Sequence, residues 1–129
     1  MIQKDYIERL TQQVAKVIAR LIGKDWEQQL LVIEEVYNDW LPINRKDLMA
    51  KPPVDLLDWL VVEEELSVDE LEAIADLLKF EGEQLSNYEV SKDRLKKALL
   101  LLEYVDAHQD IYSMDRIYKI EQLKKKLTG

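Results

Sequence analysis

Apolar residues recur along this chain at spacings of three and four, which is the pattern of amphipathic helices. The first stripe runs from Tyr6 to Leu21, and Gly23 is a natural stop for the helix it predicts. A second stripe starts near Asp25 and ends before Pro42, because proline disfavours helical geometry in the residue that precedes it. Together the stripes predict a helical hairpin with a very short turn.

The stretch between Pro42 and Pro53 is the least regular part of the chain. Lys51-Pro52-Pro53 stops any helix that begins within Arg45–Ala50, since proline cannot continue helical hydrogen bonding. We therefore predict the main internal joint of the domain at residues 42–53. Proline suits a first helical turn, so a short third helix is predicted from Pro53, with Leu56, Leu57, Trp59, Leu60 and Val61 as its apolar residues.

Three further helices follow in the second half of the chain. Ser67 and Glu70 have the spacing of a capping box, which predicts that a fourth helix opens there. The fifth helix is apolar on both faces at its middle, around Leu100 and Leu101, and we therefore predict it at the centre of the packing. Ser113 is a suitable N-cap for the sixth helix.

Signals for β-strands are missing from the sequence, which has no sustained two-residue alternation, no Asn-Gly or Asp-Gly pair and only three glycines. The predicted fold is therefore all-α, with about six helices in antiparallel hairpins. Such hairpins suit either a tetratricopeptide-like superhelix or a compact helical bundle, and the sequence leaves both open. The length of 129 residues fits one helical domain spanning residues 1–129.

The N-terminal helix also carries a family resemblance. The segments Met1-Ile2-Gln3-Lys4-Asp5-Tyr6-Ile7-Glu8-Arg9-Leu10 and Val14-Ala15-Lys16-Val17-Ile18-Ala19 resemble the start of an uncharacterised family from gut-dwelling Firmicutes and Bacteroidetes. That family is a domain of unknown function with a tetratricopeptide-like helical fold. The resemblance implies a bacterial, cytoplasmic, all-helical protein, and it supplies no functional residues.

Charge is distributed unevenly along the chain, whose formal net charge is −8. Residues 55–89 hold twelve acids against the single base Lys79. These acids lack the Asp-x-Asp-x-Asp-Gly pattern of calcium loops, so they predict no metal site. A solvated helix end would explain them, and the functional alternative is an acidic surface that steers a basic partner. The predicted partner-binding residues are Glu63, Glu64, Glu65, Asp69, Glu70 and Glu72.

Sequence signatures of catalysis are missing as well. The lone His108 has no His-Glu-x-x-His or Glu-x-x-His context and fits a cation at a helix end. Nothing distinguishes Glu34, Glu35 and Asp39 from the other acids, and no glycine-rich nucleotide loop or Gly-x-Ser-x-Gly elbow occurs. We predict no catalytic residue, cofactor or metal, and keep a small-ligand binder or enzyme as a further alternative.

The three tryptophans fall on apolar stripes and are predicted as core residues: Trp26, Trp40 and Trp59. An exposed tryptophan would instead favour a peptide groove, because aromatic residues dominate binding hot spots. The basic run Lys124–Lys126 matches the dipole of the last helix, and the negative net charge opposes nucleic acid as a ligand.

The absence of cysteine agrees with a reducing compartment, and the first nine residues differ from a signal peptide because charges interrupt them. The longest apolar stretch, Ala98–Leu102, is too short to cross a bilayer. We therefore predict a cytoplasmic protein without a membrane or nucleic-acid partner. The leading hypothesis is a non-enzymatic module that binds a protein or peptide through a groove or the acidic segment, and the alternative is a structural homo-oligomer.

Overall fold

The computed structural model describes residues 9–128, and every regular element among them is helical. The elements are α1 Leu10–Leu21, α2 Trp26–Trp40, α3 Arg45–Ala50, α4 Pro53–Leu57, the π-helical turn Asp58–Glu63, α5 Val68–Gln84, α6 Tyr88–His108 and α7 Met114–Thr128. This confirms the all-α prediction, with one more α-helix than expected. Tyr6, and the first eight residues of the segment that carries the family resemblance, lie outside the described residues.

Local sequence signals fix several helix ends. The Ser67 hydroxyl accepts from the Glu70 backbone N–H at 3.1 Å, and the Glu70 carboxylate accepts from the Ser67 N–H at 2.9 Å. The Ser113 hydroxyl accepts from the Arg116 N–H at 3.1 Å at the start of α7. Both predicted caps are therefore confirmed. After α1 the chain turns at Gly23, whose φ of 87° is a left-handed conformation that favours glycine.

The most deeply buried helix is α5, and the following helix, which the sequence predicts at the centre, packs on α4, α5 and α7. Every residue from Leu71 to Leu78 is buried, whereas Leu99 and Leu100 of α6 remain partly accessible. Helices α1 and α6 pack on α5, and α7 packs on α6. The described residues therefore form a compact bundle around α5; the tetratricopeptide-like alternative stays a prediction.

Close packing of α5 on α6 depends on a glycine near the end of α5. A Cβ added to Gly82 would lie 2.8 Å from Leu95 Cδ2, which is shorter than van der Waals contact. The neighbouring hydroxyl of Ser91 donates to the Gly82 carbonyl at 2.6 Å. The absence of a side chain thus lets the two backbones approach at this point.

The predicted joint at residues 42–53 is part of the same hydrophobic core. It contains α3, and Ile43 and Leu48 are buried. As the sequence predicts, α3 ends at Ala50, before Lys51-Pro52, and the next helix, α4, begins at Pro53. Beyond α4 the chain widens into the π-helical turn, where the Glu64 N–H donates to the carbonyl of Trp59, five residues earlier, at 2.9 Å.

Candidate functional site

The structure divides the six predicted partner-binding acids into two groups. Glu63 ends the π-helical turn, Glu64 and Glu65 follow it before α5, and all three are exposed. Glu65 adopts a left-handed φ of 53°. Asp69, Glu70 and Glu72 lie on the first turns of α5, where each bonds within the molecule. The six acids therefore do not share one open surface.

Asp69 caps the N-terminus of a different helix. Its carboxylate accepts from the backbone N–H of Leu10 at 3.0 Å and from the hydroxyl of Thr11 at 3.2 Å. The guanidinium of Arg9 donates to the same carboxylate at 3.2 Å. Because the first N–H groups of a helix lack partners within the helix, Asp69 stabilises α1 and fixes its start against α5.

Glu72 belongs to a buried cluster centred on Arg116. The Arg116 guanidinium donates to Glu72 at 3.2 Å, to Asp106 at 3.1 Å and to the Ile111 carbonyl at 3.0 Å. Glu72, Ile111 and Arg116 border a polar cavity of about 210 Å³ between α1, α5 and α7. Since the guanidinium is bonded on three sides, the cluster joins α5 to the α6–α7 loop.

A second ion pair lies on the same cavity wall. The Lys119 ammonium is 3.0 Å from Asp76 and 2.9 Å from Asp115. Burial raises the pKa of the Asp76 carboxyl above its ordinary value, although the Lys119 charge opposes that shift. The carboxylates of this cavity are therefore engaged by cations of the same molecule, which is the arrangement of a structural ion-pair network.

The most buried carboxylate is Glu81, with 1% of its surface exposed. It accepts from Arg45 at 2.7 and 3.2 Å and from Arg94 at 2.8 Å, and so links α3, α5 and α6. The hydroxyl of Tyr37 is buried and has no hydrogen-bond partner among the described residues. Burial, together with the charge of Glu81, raises the pKa of that hydroxyl.

A buried lysine completes the attachment of α3. The Lys97 ammonium donates to the carbonyls of Leu48 and Met49 at 3.1 and 3.0 Å and lies 3.1 Å from the Asp93 carboxylate. Burial lowers the pKa of Lys97 despite that carboxylate. A cation at the C-terminus of a helix stabilises its unpaired carbonyls, so Lys97 caps α3 from α6.

None of these clusters has the arrangement of a metal site. Within residues 9–128 no three His, Cys, Asp or Glu side chains are grouped so as to hold a metal ion. His108 lies in the last turn of α6, with its Nδ1 2.8 Å from the Tyr104 carbonyl oxygen and its ring stacked on Tyr104. It is a helix-terminal residue, as the sequence predicts.

An exposed apolar groove lies between α1 and α2. A cavity of about 570 Å³ opens there, and the walls are formed by Val17, Arg20, Leu21 and Lys24 from α1 and its turn and by Gln28, Leu31, Val32 and Glu35 from α2. Each helix contributes residues at positions i, i+3, i+4 and i+7, which lie on one helical face. We call this surface the α1/α2 groove.

The groove continues toward the end of α2. An adjoining cavity of about 300 Å³ shares Val17 and Arg20 with the first and is bordered by Gln13, Lys16 and Trp40. The Trp40 side chain is 40% exposed, so its prediction as a core residue is wrong. Trp40 is the last residue of α2, which ends before Pro42. The helical face that packs on the core therefore ends at this residue. Trp59 is buried and Trp26 is partly buried against the core, as predicted.

A smaller apolar patch surrounds the α6–α7 connection. Its exposed residues are Ile111, Tyr112, Met114 and Tyr118. Ile111 also borders the polar cavity. This patch comes from one loop and the first turn of α7, whereas the α1/α2 groove has two helical walls.

No protein-family model, curated protein or solved structure matches this chain. None of the described helices combines the length and apolar character that a bilayer crossing requires.

Proposed function

We propose that this protein is a non-enzymatic interaction module that binds a helical protein segment in the α1/α2 groove. The observation that carries the proposal is the open apolar floor of the groove, where Leu31 is 66% exposed beside Val17 and Val32. Helix-in-groove recognition uses such a floor, because an amphipathic helix buries its apolar stripe there.

The dimensions of the groove suit a helix. From Gln13 to Lys24 the lining residues of α1 cover about three turns, or ~16 Å of helix. A helical partner would place two or three apolar side chains against that length. Trp40 at one end supplies an exposed aromatic residue, and tryptophan is enriched among residues that dominate binding energy.

The polar cavity and the exposed acids fit a protein that binds a partner better than they fit an enzyme. The polar cavity at Arg116 is lined by carboxylates that pair with Arg116 and Lys119, so it presents no free acid and base in matched positions. The exposed acids Glu63, Glu64 and Glu65 remain a candidate for steering a basic partner. A cytoplasmic location and a bacterial source remain predictions.

A paired substitution tests the proposal. Tagged protein serves as bait in a bacterial lysate that contains added untagged protein, and retained proteins are identified by mass spectrometry. We expect Leu31→Asp to abolish retention because it puts a charge on the groove floor. Val62→Asp is the matched control, because Val62 is 65% exposed but lies in the π-helical turn. Retention lost in both variants, or in neither, would refute the groove as the binding site.

A further inference from the structure

The α1/α2 groove has two distinct ends, because α1 leads into the hairpin turn and α2 leads out of it. Lys24 and Gln28 line the groove beside the turn. Gln13 and Trp40 border it at the opposite end, toward the start of α1 and the end of α2. We call these the turn end and the open end. A helix lying along the groove places one of its termini at each.

Exposed charges of opposite sign lie toward the two ends. At the turn end, the exposed bases Arg20 and Lys24 line the groove. Toward the open end, Glu35 lines the groove, and Asp39 is exposed about one helical turn further along α2. Among residues 9–128, none of these four side chains forms an ion pair. Lys16 also borders the open end, but it already has an interaction partner and is not counted with them.

Two further acids lie near the turn, but they do not line the groove. Asp25 is the N-cap of α2, and its carboxylate accepts from the Gln28 N–H at 2.9 Å. Glu27 lies in the first turn of α2, where the helix dipole stabilises an acid. The walls of the groove itself are therefore basic at the turn end and acidic toward the open end.

The exposed tryptophan at the open end favours a partner of the same charge as Glu35 does. Trp40 is 40% exposed, and the face of an indole ring attracts a cation. This chain makes such a contact elsewhere, where the Lys51 ammonium lies 4.8 Å from the ring centroid of Trp59. A base at this end of a bound helix would be attracted by both Trp40 and Glu35.

We infer that the groove binds an amphipathic helix with bases in its N-terminal half and acids in its C-terminal half, lying parallel to α1. Its acids then face Arg20 and Lys24 at the turn end, and its bases face Glu35 and Trp40. The dipole of the bound helix favours the same direction, because its C-terminus carries partial negative charge and its N-terminus partial positive charge. This inference rests on the proposed function, because it names the charge order and the direction of the helix in the same groove.

The charge order also determines how the partner behaves on its own. A free helix is stabilised by acids near its N-terminus and bases near its C-terminus, and the inferred order is the opposite. The partner segment should therefore be weakly helical when free. It completes its helix in the groove, where its apolar stripe is buried against Leu31 and Val32.

Two synthetic peptides of about 15 residues, or roughly 22 Å of helix, test the charge order. Both have the same composition and the same stripe of leucines, and a hydrocarbon staple on the opposite face makes them equally helical. One has lysines in its N-terminal half and glutamates in its C-terminal half, and the other has the reverse order. Fluorescence anisotropy measures their affinities for the full chain. We expect the lysine-first peptide to bind at least about tenfold more tightly, because in the other peptide like charges meet at both ends of the groove.

A charge-exchanged variant should reverse this preference. It combines four substitutions that leave the net charge unchanged: Arg20→Glu, Lys24→Glu, Glu35→Lys and Asp39→Lys. The turn end is then acidic and the open end basic, so the glutamate-first peptide should bind more tightly. Only a folded protein can show a reversed preference, so misfolding cannot imitate this result.

The matched control exchanges four exposed charges on α6 and α7: Lys96→Glu, Glu103→Lys, Glu121→Lys and Lys125→Glu. It should keep the preference of the native protein. A native preference for the glutamate-first peptide, or a preference that the exchange at the groove leaves unchanged, would overturn the inference. Equal affinities for the two peptides that are lost in Leu31→Asp would overturn the charge order but leave the proposed function standing. Binding of both peptides that Leu31→Asp does not weaken would refute both.

Discussion

Two polar side chains in this molecule each bond to the end of a helix other than their own. Asp69 of α5 caps the start of α1, and Lys97 of α6 caps the end of α3. Each replaces a hydrogen bond that a helix end cannot make within itself. Tyr37 is the exception, because its buried hydroxyl has no hydrogen-bond partner among the described residues.

Replacing that tyrosine should stabilise the protein. Tyr37→Phe removes a hydroxyl that is desolvated without a hydrogen bond and keeps the ring in the core. We expect the free energy of unfolding to rise by about 1 kcal/mol. Urea titration followed by circular dichroism measures this change. A loss of stability would mean that the hydroxyl makes a favourable contact in solution.

Removing the Lys97 side chain that caps α3 should destabilise the protein. Lys97→Met keeps the aliphatic stem but leaves the carbonyls of Leu48 and Met49 without their donor. We expect a loss of about 1–3 kcal/mol in the free energy of unfolding. Lys96→Met is the neighbouring control, because Lys96 is exposed, and it should change stability little.

The cost of Lys97→Met should also depend on pH. Burial lowers the pKa of Lys97 in the folded protein below the ordinary 10.5. As pH rises through this lowered pKa toward 10.5, the unfolded chain binds more protons at this site than the folded one, so native stability increases. The variant lacks that increase, so the difference between the two proteins should widen from neutral pH to pH ~10. A difference that narrows would contradict the assignment.

At the scale of elements, the acids of α5 show why the sequence does not predict which charged residues are buried. Its acids suggest a solvated helix, yet Glu72, Asp76 and Glu81 are buried. Each pairs with a base far away in sequence, on α3, α6 or α7. Hydrophobic periodicity cannot detect such burial, because it treats every carboxylate as a surface residue. Helix ends were predictable, because caps such as Ser67 and stops such as Gly23 act through neighbours in sequence.

Because Glu81 pairs with Arg45 of α3 and Arg94 of α6, we expect its charge to contribute strongly to stability. Glu81→Gln removes the charge that faces both Arg45 and Arg94 and should lower the free energy of unfolding by about 3 kcal/mol. Glu83→Gln is the matched control on the same helix. Glu83 pairs with Lys79 and Lys126 near the surface, and this change should cost less than about 1 kcal/mol. Equal losses in chemical denaturation would rule out a special role for Glu81.

At the scale of the whole molecule, the uneven charge of the sequence has two outcomes. Most of the acids of α5 pair with bases from other helices, as Glu72 does with Arg116. The opposite charges of α1 and α2 do not pair with each other among the described residues, and they border an apolar groove. The sequence predicted a groove as one possible binding surface but not its position, because the lining residues match an ordinary amphipathic hairpin. Exposure of Leu31 and Trp40 depends on which other helices pack nearby.

The central claim is that the α1/α2 groove binds a helical protein segment. Amide hydrogen exchange, measured by mass spectrometry with and without the proteins that the native chain retains from a lysate, tests this claim most directly. We expect exchange in residues 10–40 to slow when those proteins are present, while residues 58–66 and 109–118 are unchanged. Slowing confined to either of those two segments, or no slowing anywhere, would contradict the claim.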